Sequence, residues 1–251
     1  MNAGMRVWVR SASALALLSF GKLTGVVVDA GDGTFTVSVI YGGVELSLPD
    51  ELLEWKRSLM QKCPSGRALT EKVQSLLPPK PYDGRQEWQS FDARAIKEKY
   101  SAVPLDGADP PPAQHLMHRS IAYTLSSEAQ TCVGAVPENL AAYVHAAIQA
   151  CNPDLADELL RNIVVTGGTA HADGFVEKLG LRLKRFYPDS PDKVVVVGRP
   201  QEEMELTYCP AVFEGALRWA SNPNFSKQEL TPDEYIKHGR DGAIRRHCSF
   251  L

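Results

Sequence analysis

The sequence predicts an α/β fold, in which β-strands alternate with helices along the chain. Two short runs rich in β-branched residues, Val26–Asp29 and Ile163–Thr166, have the composition of buried strands. Each run leads directly into a glycine-rich turn, and the second turn is followed by an amphipathic helix. Strands that alternate with helices are typical of α/β architectures.

The first half of the chain begins with an apolar segment, Val7–Ser19, which we interpret as a helix that runs into the first strand. Because no acidic residue precedes Asp29, a transit peptide or a secretory signal is the alternative. The segment 23–40 then predicts a hairpin. Apolar residues at helical spacing predict three further helices, over 46–60, 69–77 and 86–100.

The second half gives clearer signals. The sequence predicts a hairpin around 126–130, helices over 140–150 and 153–161, and a buried strand at Ile163–Thr166. After the Gly-Gly-Thr turn we expect a helix over 174–186, a buried strand over 193–197 and a helix over 211–220. Thr231, followed three residues later by Glu234, is the signature of a capping box at the start of a last helix.

Composition excludes several classes of protein. A net charge of −3 offers no basic footprint for nucleic acid or for an acidic membrane surface. The five cysteines are scattered and show no Cys-x-x-Cys spacing, which favours a reducing compartment and argues against a disulfide framework or a zinc site. No window has the roughly 18 uninterrupted apolar residues that a membrane span needs.

The hairpin turn at Asp29–Gly33 is the first candidate site. Gly31 and Gly33 allow positive φ and a close approach of the backbone to a ligand, and Asp29 and Asp32 are placed to hold a Mg²⁺ hydration shell. Such a turn can cradle a phosphate. An ordinary hairpin turn is the alternative, since Asp-Gly is a common turn pair.

The second glycine turn, Gly167-Gly168-Thr169, lies between a β-branched strand and a helix. Paired glycines before a helix N-terminus give a ligand access to the backbone, although they can also serve only close packing of helix and strand. Two such turns, about 135 residues apart, suggest two facing walls of a nucleotide cleft.

Five segments, in order, resemble motifs of actin and the actin-related proteins. The hairpin Thr24–Gly33 with Ile40–Gly42 is similar to the second phosphate loop of that family, and Arg94–Lys99 to its adenosine-contacting helix. Asn162–Thr169 resembles the adenosine loop. The two remaining segments are a hairpin before residue 138 (Tyr123–Leu125 with Val133–Gly134) and a C-terminal tail (Leu230–Phe250).

The resemblance implies a ribonuclease-H-like ATPase fold that is incomplete, with one full α/β lobe plus a helical insert. It divides the chain into 1–56 (a helix and the second phosphate-loop hairpin), 57–136 (an insert with the adenosine-side helix) and 137–251 (a C-terminal core). It implies ATP or ADP with Mg²⁺ as ligands, and Asp29 and Asp32 as residues that hold the metal through waters. The residues that it implies in nucleotide binding are Asp29, Gly31, Asp32, Gly33, Arg94, Lys97, Glu98, Gly167, Gly168 and Thr169.

The sequence also departs from the family. The position of the family's water-positioning Gln aligns with Ala12, and that of a His in the second phosphate loop aligns with Thr36. Neither side chain can orient an attacking water as Gln or His does. The first phosphate loop of the family has no counterpart after Met1. We therefore expect no ATPase activity above background.

Taken together, the resemblance predicts a non-hydrolysing structural subunit of a cytoskeletal or chromatin-associated complex, with residual ATP or ADP binding. Its partners would be other protein subunits, and it would bind neither nucleic acid nor a membrane directly. Its location would be cytoplasmic or cytoskeletal, with the nucleus as a further option. The alternative is an active, ATP-hydrolysing filament protein whose N-terminus is missing from this gene model. A sugar-kinase-like or chaperone-like fragment is disfavoured by the actin-like tail.

Overall fold

The computed structural model of this protein describes residues 8–62, 65–76, 90–100, 103, 140–198, 210–223 and 230–248. The hairpin predicted around 126–130 lies outside these residues. No helix in the described ranges is both long enough and apolar enough to cross a membrane.

A five-stranded mixed sheet forms the centre of the fold. Its strand order is β3-β2-β1-β4-β5. β1 pairs antiparallel with β2 and parallel with β4, so the hairpin and the second half of the chain share one sheet. This sheet, with helices on both faces, confirms the predicted α/β fold. The strands are β1 (Gly25–Ala30), β2 (Phe35–Tyr41), β3 (Val44–Glu45), β4 (Ile163–Thr166) and β5 (Val196–Val197).

The alternation of side chains along the strands gives the sheet two apolar faces. In β1, Val26 and Val28 are buried in one hydrophobic cluster, whereas Val27 is buried in another. Directly opposite residues of β1 and β2 share a face. The sheet therefore needs a layer of helices on each side.

Three helices cover the first face. They are α5 (140–149), α6 (Ala156–Arg161) and α7 (Phe175–Lys184). Their fully buried residues include Tyr143, Leu159 and Phe175, which pack in one cluster with Val26 and Val165 of the sheet. Burial of such side chains is the main stabilising contribution to this layer.

Two helices cover the second face. α1 (Ala12–Ser19) and α8 (Ala211–Ala220) pack on Val27, Ile40 and Val164. They cross at Gly215, where an added Cβ would lie 1.7 Å from the carbonyl oxygen of Leu15. Glycine is needed at this position because the two helix backbones touch.

The remaining described helices are α2 (Asp50–Lys62), α3 (Gly66–Leu76), α4 (Ser90–Tyr100) and α9 (Pro232–Cys248), the last kinked at Gly239. The predicted capping box is present at the start of α9. The amide of Glu234 donates to the hydroxyl of Thr231 at 3.3 Å, and the amide of Thr231 donates to the carboxylate of Glu234 at 3.1 Å.

Several predicted elements have different bounds in the structure. Helix α1 begins at Ala12 rather than at Val7, because Ser11 caps it by accepting a hydrogen bond from the amide of Ala14. The strand predicted over 193–197 pairs only at Val196–Val197, since Pro191–Lys193 form a 3-10 turn and Val195 is exposed. The helix predicted over 153–161 also begins as a 3-10 turn, at Pro153–Leu155.

Candidate functional site: two glycine turns at one edge of the sheet

The two predicted glycine turns lie against each other. Both follow the carboxyl ends of parallel neighbours, β1 and β4, and this edge is where open α/β sheets bind ligands. Gly167 has φ 97°, and a Cβ there would lie 2.4 Å from the carbonyl oxygen of Ala30 and 2.6 Å from Oδ1 of Asp29. Glycine at 167 is therefore what allows the two turns to meet.

The hairpin tip differs in one respect from the sequence expectation. Neither Gly31 nor Gly33 adopts positive φ, unlike Gly167 and Gly174. Gly31 serves a close approach within its own turn instead. Its amide donates to the carbonyl oxygen of Thr34 at 3.1 Å, and a Cβ there would lie 2.9 Å from the same oxygen.

Two other glycines face open space. A Cβ added to Gly33 or to Gly168 would meet no atom of the described residues within 4 Å, and neither glycine has positive φ. Packing and backbone conformation therefore do not require glycine at these positions. Bare backbone next to open space fits the close approach of a phosphate or a nucleoside.

The start of α3 completes this edge of the sheet. The amide of Gly66 donates to the carbonyl oxygen of Gly31 at 3.1 Å, and the amide of Arg67 donates to that of Asp32 at 2.8 Å. A Cβ at Gly66 would lie 2.9 Å from Oγ1 of Thr169. The hairpin tip (31–33), the turn Gly167-Gly168-Thr169 and the start of α3 thus meet at one point, which we call the junction.

Sequence reasoning missed the role of Gly66 and Arg67. Ser65, whose hydroxyl accepts a hydrogen bond from the amide of Ala68 at 3.3 Å, caps the helix. A Ser-Gly pair before an apolar-periodic segment is a recognisable helix start. The contact of this helix start with the hairpin tip joins residues more than thirty positions apart, so a local sequence pattern cannot predict it.

Lys97, in the predicted adenosine-side helix, has its charged group at the junction. Its Nζ donates to the carbonyl oxygen of Gly66 at 2.8 Å. Burial lowers the pKa of Lys97, and the nearby carboxylates of Glu98 and Asp32 partly oppose that shift. Arg94 and Glu98 form an ion pair with each other at 2.7 Å, on the half-exposed side of α4.

The two candidate metal-holding carboxylates lie in different surroundings. Burial raises the pKa of Asp29 above its usual value. Asp32 is half-exposed and forms an ion pair with Arg67, with Nη2 to Oδ2 at 3.4 Å. No group of three metal-ligating side chains occurs among the residues that the structure describes. Two carboxylates acting through waters fit Mg²⁺, which commonly retains several waters.

The two water-positioning positions also fall within the described residues. Thr36 of β2 lies directly opposite Asp29 in the β1–β2 ladder, so the two side chains share one face of the sheet. Ala12 is the exposed first residue of α1. At residue 12 the chain therefore has a methyl group where the family resemblance implies the amide of Gln. At residue 36 it has a hydroxyl group where the resemblance implies the imidazole of His.

A depression of about 450 Å³ lies beside the second turn, between the start of α7 and β5. His171 lines it together with Asp173, Glu177 and Gly198, among others. Gly167, Gly168 and Thr169 are not among its lining residues. The junction is therefore a separate feature, and the site assignment rests on its contacts rather than on this depression.

The second half of the chain matches a protein-family model. The model described as Actin matches residues 112–249, which is more than half of the chain. The matched range includes β4, the Gly-Gly-Thr turn and helices α5–α9. The hairpin of β1 and β2 precedes it, and pairs with the matched part through the parallel β1–β4 ladder.

Proposed function

The chain belongs to the actin family, and we propose that it is a non-hydrolysing structural subunit of a cytoskeletal or chromatin-associated complex, with a retained nucleotide cleft. The observation that carries the proposal is the pair formed by Thr36 and Asp29 across β1 and β2. The carboxylate that would face a bound metal is present, but its neighbour cannot act as an imidazole does toward an attacking water.

Nucleotide binding is supported by the junction. The hairpin tip would face the phosphates, because the amides of Asp32 and Gly33 donate to no backbone carbonyl among the described residues. Lys97 and the turn Gly167–Thr169 would face the nucleoside. Asp29 and Asp32 would hold Mg²⁺ through its waters. When bound, Mg²⁺ would neutralise phosphate charge, and the chain's own groups would supply position rather than proton transfer.

A protein partner is supported by an exposed apolar surface on α8. Phe213 and Leu217 lie four residues apart on one side of the helix and are 57% and 52% exposed. Leu23, 49% exposed, lies in the loop after α1, and that loop is near α8, since a Cβ added to Gly21 would lie 3.8 Å from Nη1 of Arg218. Large apolar side chains exposed together on one side of a helix, as Phe213 and Leu217 are, commonly mark an interface with another protein.

Phosphate release from MgATP by the purified chain tests the absence of hydrolysis. We expect release at the rate of the buffer blank, and the same rate for Asp32→Ala. Equilibrium binding of ADP is measured on the same samples, and we expect the wild-type chain to bind and Asp32→Ala to bind more weakly. Turnover by the wild type that Asp32→Ala abolishes would contradict the proposal and favour the active-ATPase alternative.

A further inference from the structure

Arg67 is held beside the hairpin tip by its own backbone. Its amide donates to the carbonyl oxygen of Asp32 at 2.8 Å, and the preceding amide, of Gly66, donates to that of Gly31. These two hydrogen bonds therefore hold the backbone of Arg67 next to the hairpin tip. The side chain itself is 71% exposed, so its guanidinium can reach toward the solvent side of the tip.

The ion pair that Arg67 forms in this structure is a weak one. A single Nη2–Oδ2 contact of 3.4 Å joins it to Asp32, whose side chain is 50% exposed. Exposed pairs of this kind contribute little to stability. A phosphate offers guanidinium two parallel charge-assisted hydrogen bonds, which are stronger than one long contact to a carboxylate.

Lys97, a second cation at the junction, has a different hydrogen-bond partner. Lys97 donates from Nζ to the carbonyl oxygen of Gly66, on the first turn of α3. The open space beside Gly33 lies at the tip, next to Asp32, with which the Arg67 guanidinium is paired. Arg67 thus forms an ion pair with Asp32 at the hairpin tip, whereas Lys97 donates a hydrogen bond to α3.

We propose that Arg67 is a phosphate-binding residue of the cleft, whose guanidinium transfers from Asp32 to a phosphate of a bound nucleoside di- or triphosphate. The inference rests on the proposed function, since it requires that a nucleotide binds at the junction. The exchange leaves the Asp32 carboxylate available to the waters of Mg²⁺. Arg67 thereby makes affinity depend on the phosphates rather than on the nucleoside.

Titration calorimetry of the full chain in Mg²⁺ with adenosine, ADP and ATP tests the inference. We expect Arg67→Gln to weaken ADP and ATP binding by about tenfold or more, because the charge-assisted hydrogen bonds to phosphate are lost. Adenosine binding should stay within about twofold of wild type. Arg67→Lys should fall between the two. Arg218→Gln is the matched control, because Arg218 is also an exposed, ion-paired arginine but lies on α8.

The outcomes separate the two proposals. If wild type binds ADP and Arg67→Gln binds it equally well, the role of Arg67 is refuted and the nucleotide cleft stands. An equal loss for adenosine and ADP would assign Arg67 a structural role in the junction instead. If the wild-type chain binds none of the three ligands, the cleft and the role of Arg67 fail together.

Discussion

At the scale of single residues, the neighbours Gly167 and Gly168 have different surroundings. Gly167→Ala should lower the free energy of unfolding by about 2 kcal/mol or more, because φ is positive and the Cβ would strike the backbone of Ala30. Gly168→Ala should leave stability unchanged or raise it by about 0.5 kcal/mol. If a ligand approaches Gly168, the same change should weaken ADP binding. Urea unfolding and ADP titration of both variants measure these effects.

The opposite pattern would contradict the site assignment. Unchanged ADP affinity in Gly168→Ala would mean that the open space beside this residue is not used by a nucleotide. A severe loss of stability in that variant would mean that Gly168 has a structural role that its surroundings do not show. Gly33→Ala provides a second, independent position with the same open surroundings.

Tyr143 carries a buried hydroxyl. The residue is 1% exposed, its ring packs edge-on against Trp55, and its hydroxyl makes no hydrogen bond to the part of the chain that the structure describes. Since a buried unpaired hydroxyl costs free energy, Tyr143→Phe should raise the free energy of unfolding by about 1 kcal/mol. Tyr41→Phe, at a half-exposed tyrosine, is the control and should have no effect. A loss of stability in Tyr143→Phe would reveal a partner for the hydroxyl in solution.

At the scale of elements, the contact of α1 with α8 depends on Gly215. Because an added Cβ would overlap the carbonyl of Leu15, Gly215→Ala must force the helices apart and should cost about 3 kcal/mol. Gly180, in the middle of α7, has only ordinary contacts with Val196 at 3.7 Å. Gly180→Ala should therefore stabilise the protein by about 1 kcal/mol through helix propensity. Thermal unfolding of both variants measures the difference, and a tolerated Gly215→Ala would show that the helices can separate.

Local patterns predicted those elements whose signal is contained in their own residues. Ile163–Thr166 has the predicted bounds because a β-branched run can bury both of its faces. The capping box at Thr231 was recognisable because its two partners are three residues apart. The strand expected over 193–197 was overestimated, since apolar composition does not show that Val195 is exposed next to a 3-10 turn.

The candidate site could be predicted only in its parts. Both glycine turns were visible in the sequence, and their order along the chain suggested facing walls. Their contact through Gly167 and Asp29 depends on the parallel pairing of β1 with β4, which joins residues about 135 positions apart. The docking of α3 on the hairpin is equally non-local. Tertiary pairing, rather than propensity, thus determines which of the candidate residues meet.

At the scale of the whole molecule, α8 has one face in the core and one in solvent. Ala211, Gly215 and Trp219 are buried, whereas Phe213 and Leu217 are more than half exposed. If this surface serves a partner subunit, the chain alone should expose it to a hydrophobic dye and associate with itself. We expect the double variant Phe213→Gln, Leu217→Gln to lower both dye fluorescence and apparent mass, with stability changed by less than about 0.5 kcal/mol per site.

Leu181→Gln is the control for this last prediction, because Leu181 is 46% exposed but lies on α7, on the other side of the sheet. It should leave dye binding and mass as in wild type. Dye fluorescence and light scattering at several concentrations provide the two measurements. A wild-type chain that is monodisperse and binds no dye would refute the α8 surface as an interface. If Leu181→Gln lowered the signal as much as the α8 variant, the apolar exposure would be general, and α8 would have no special role.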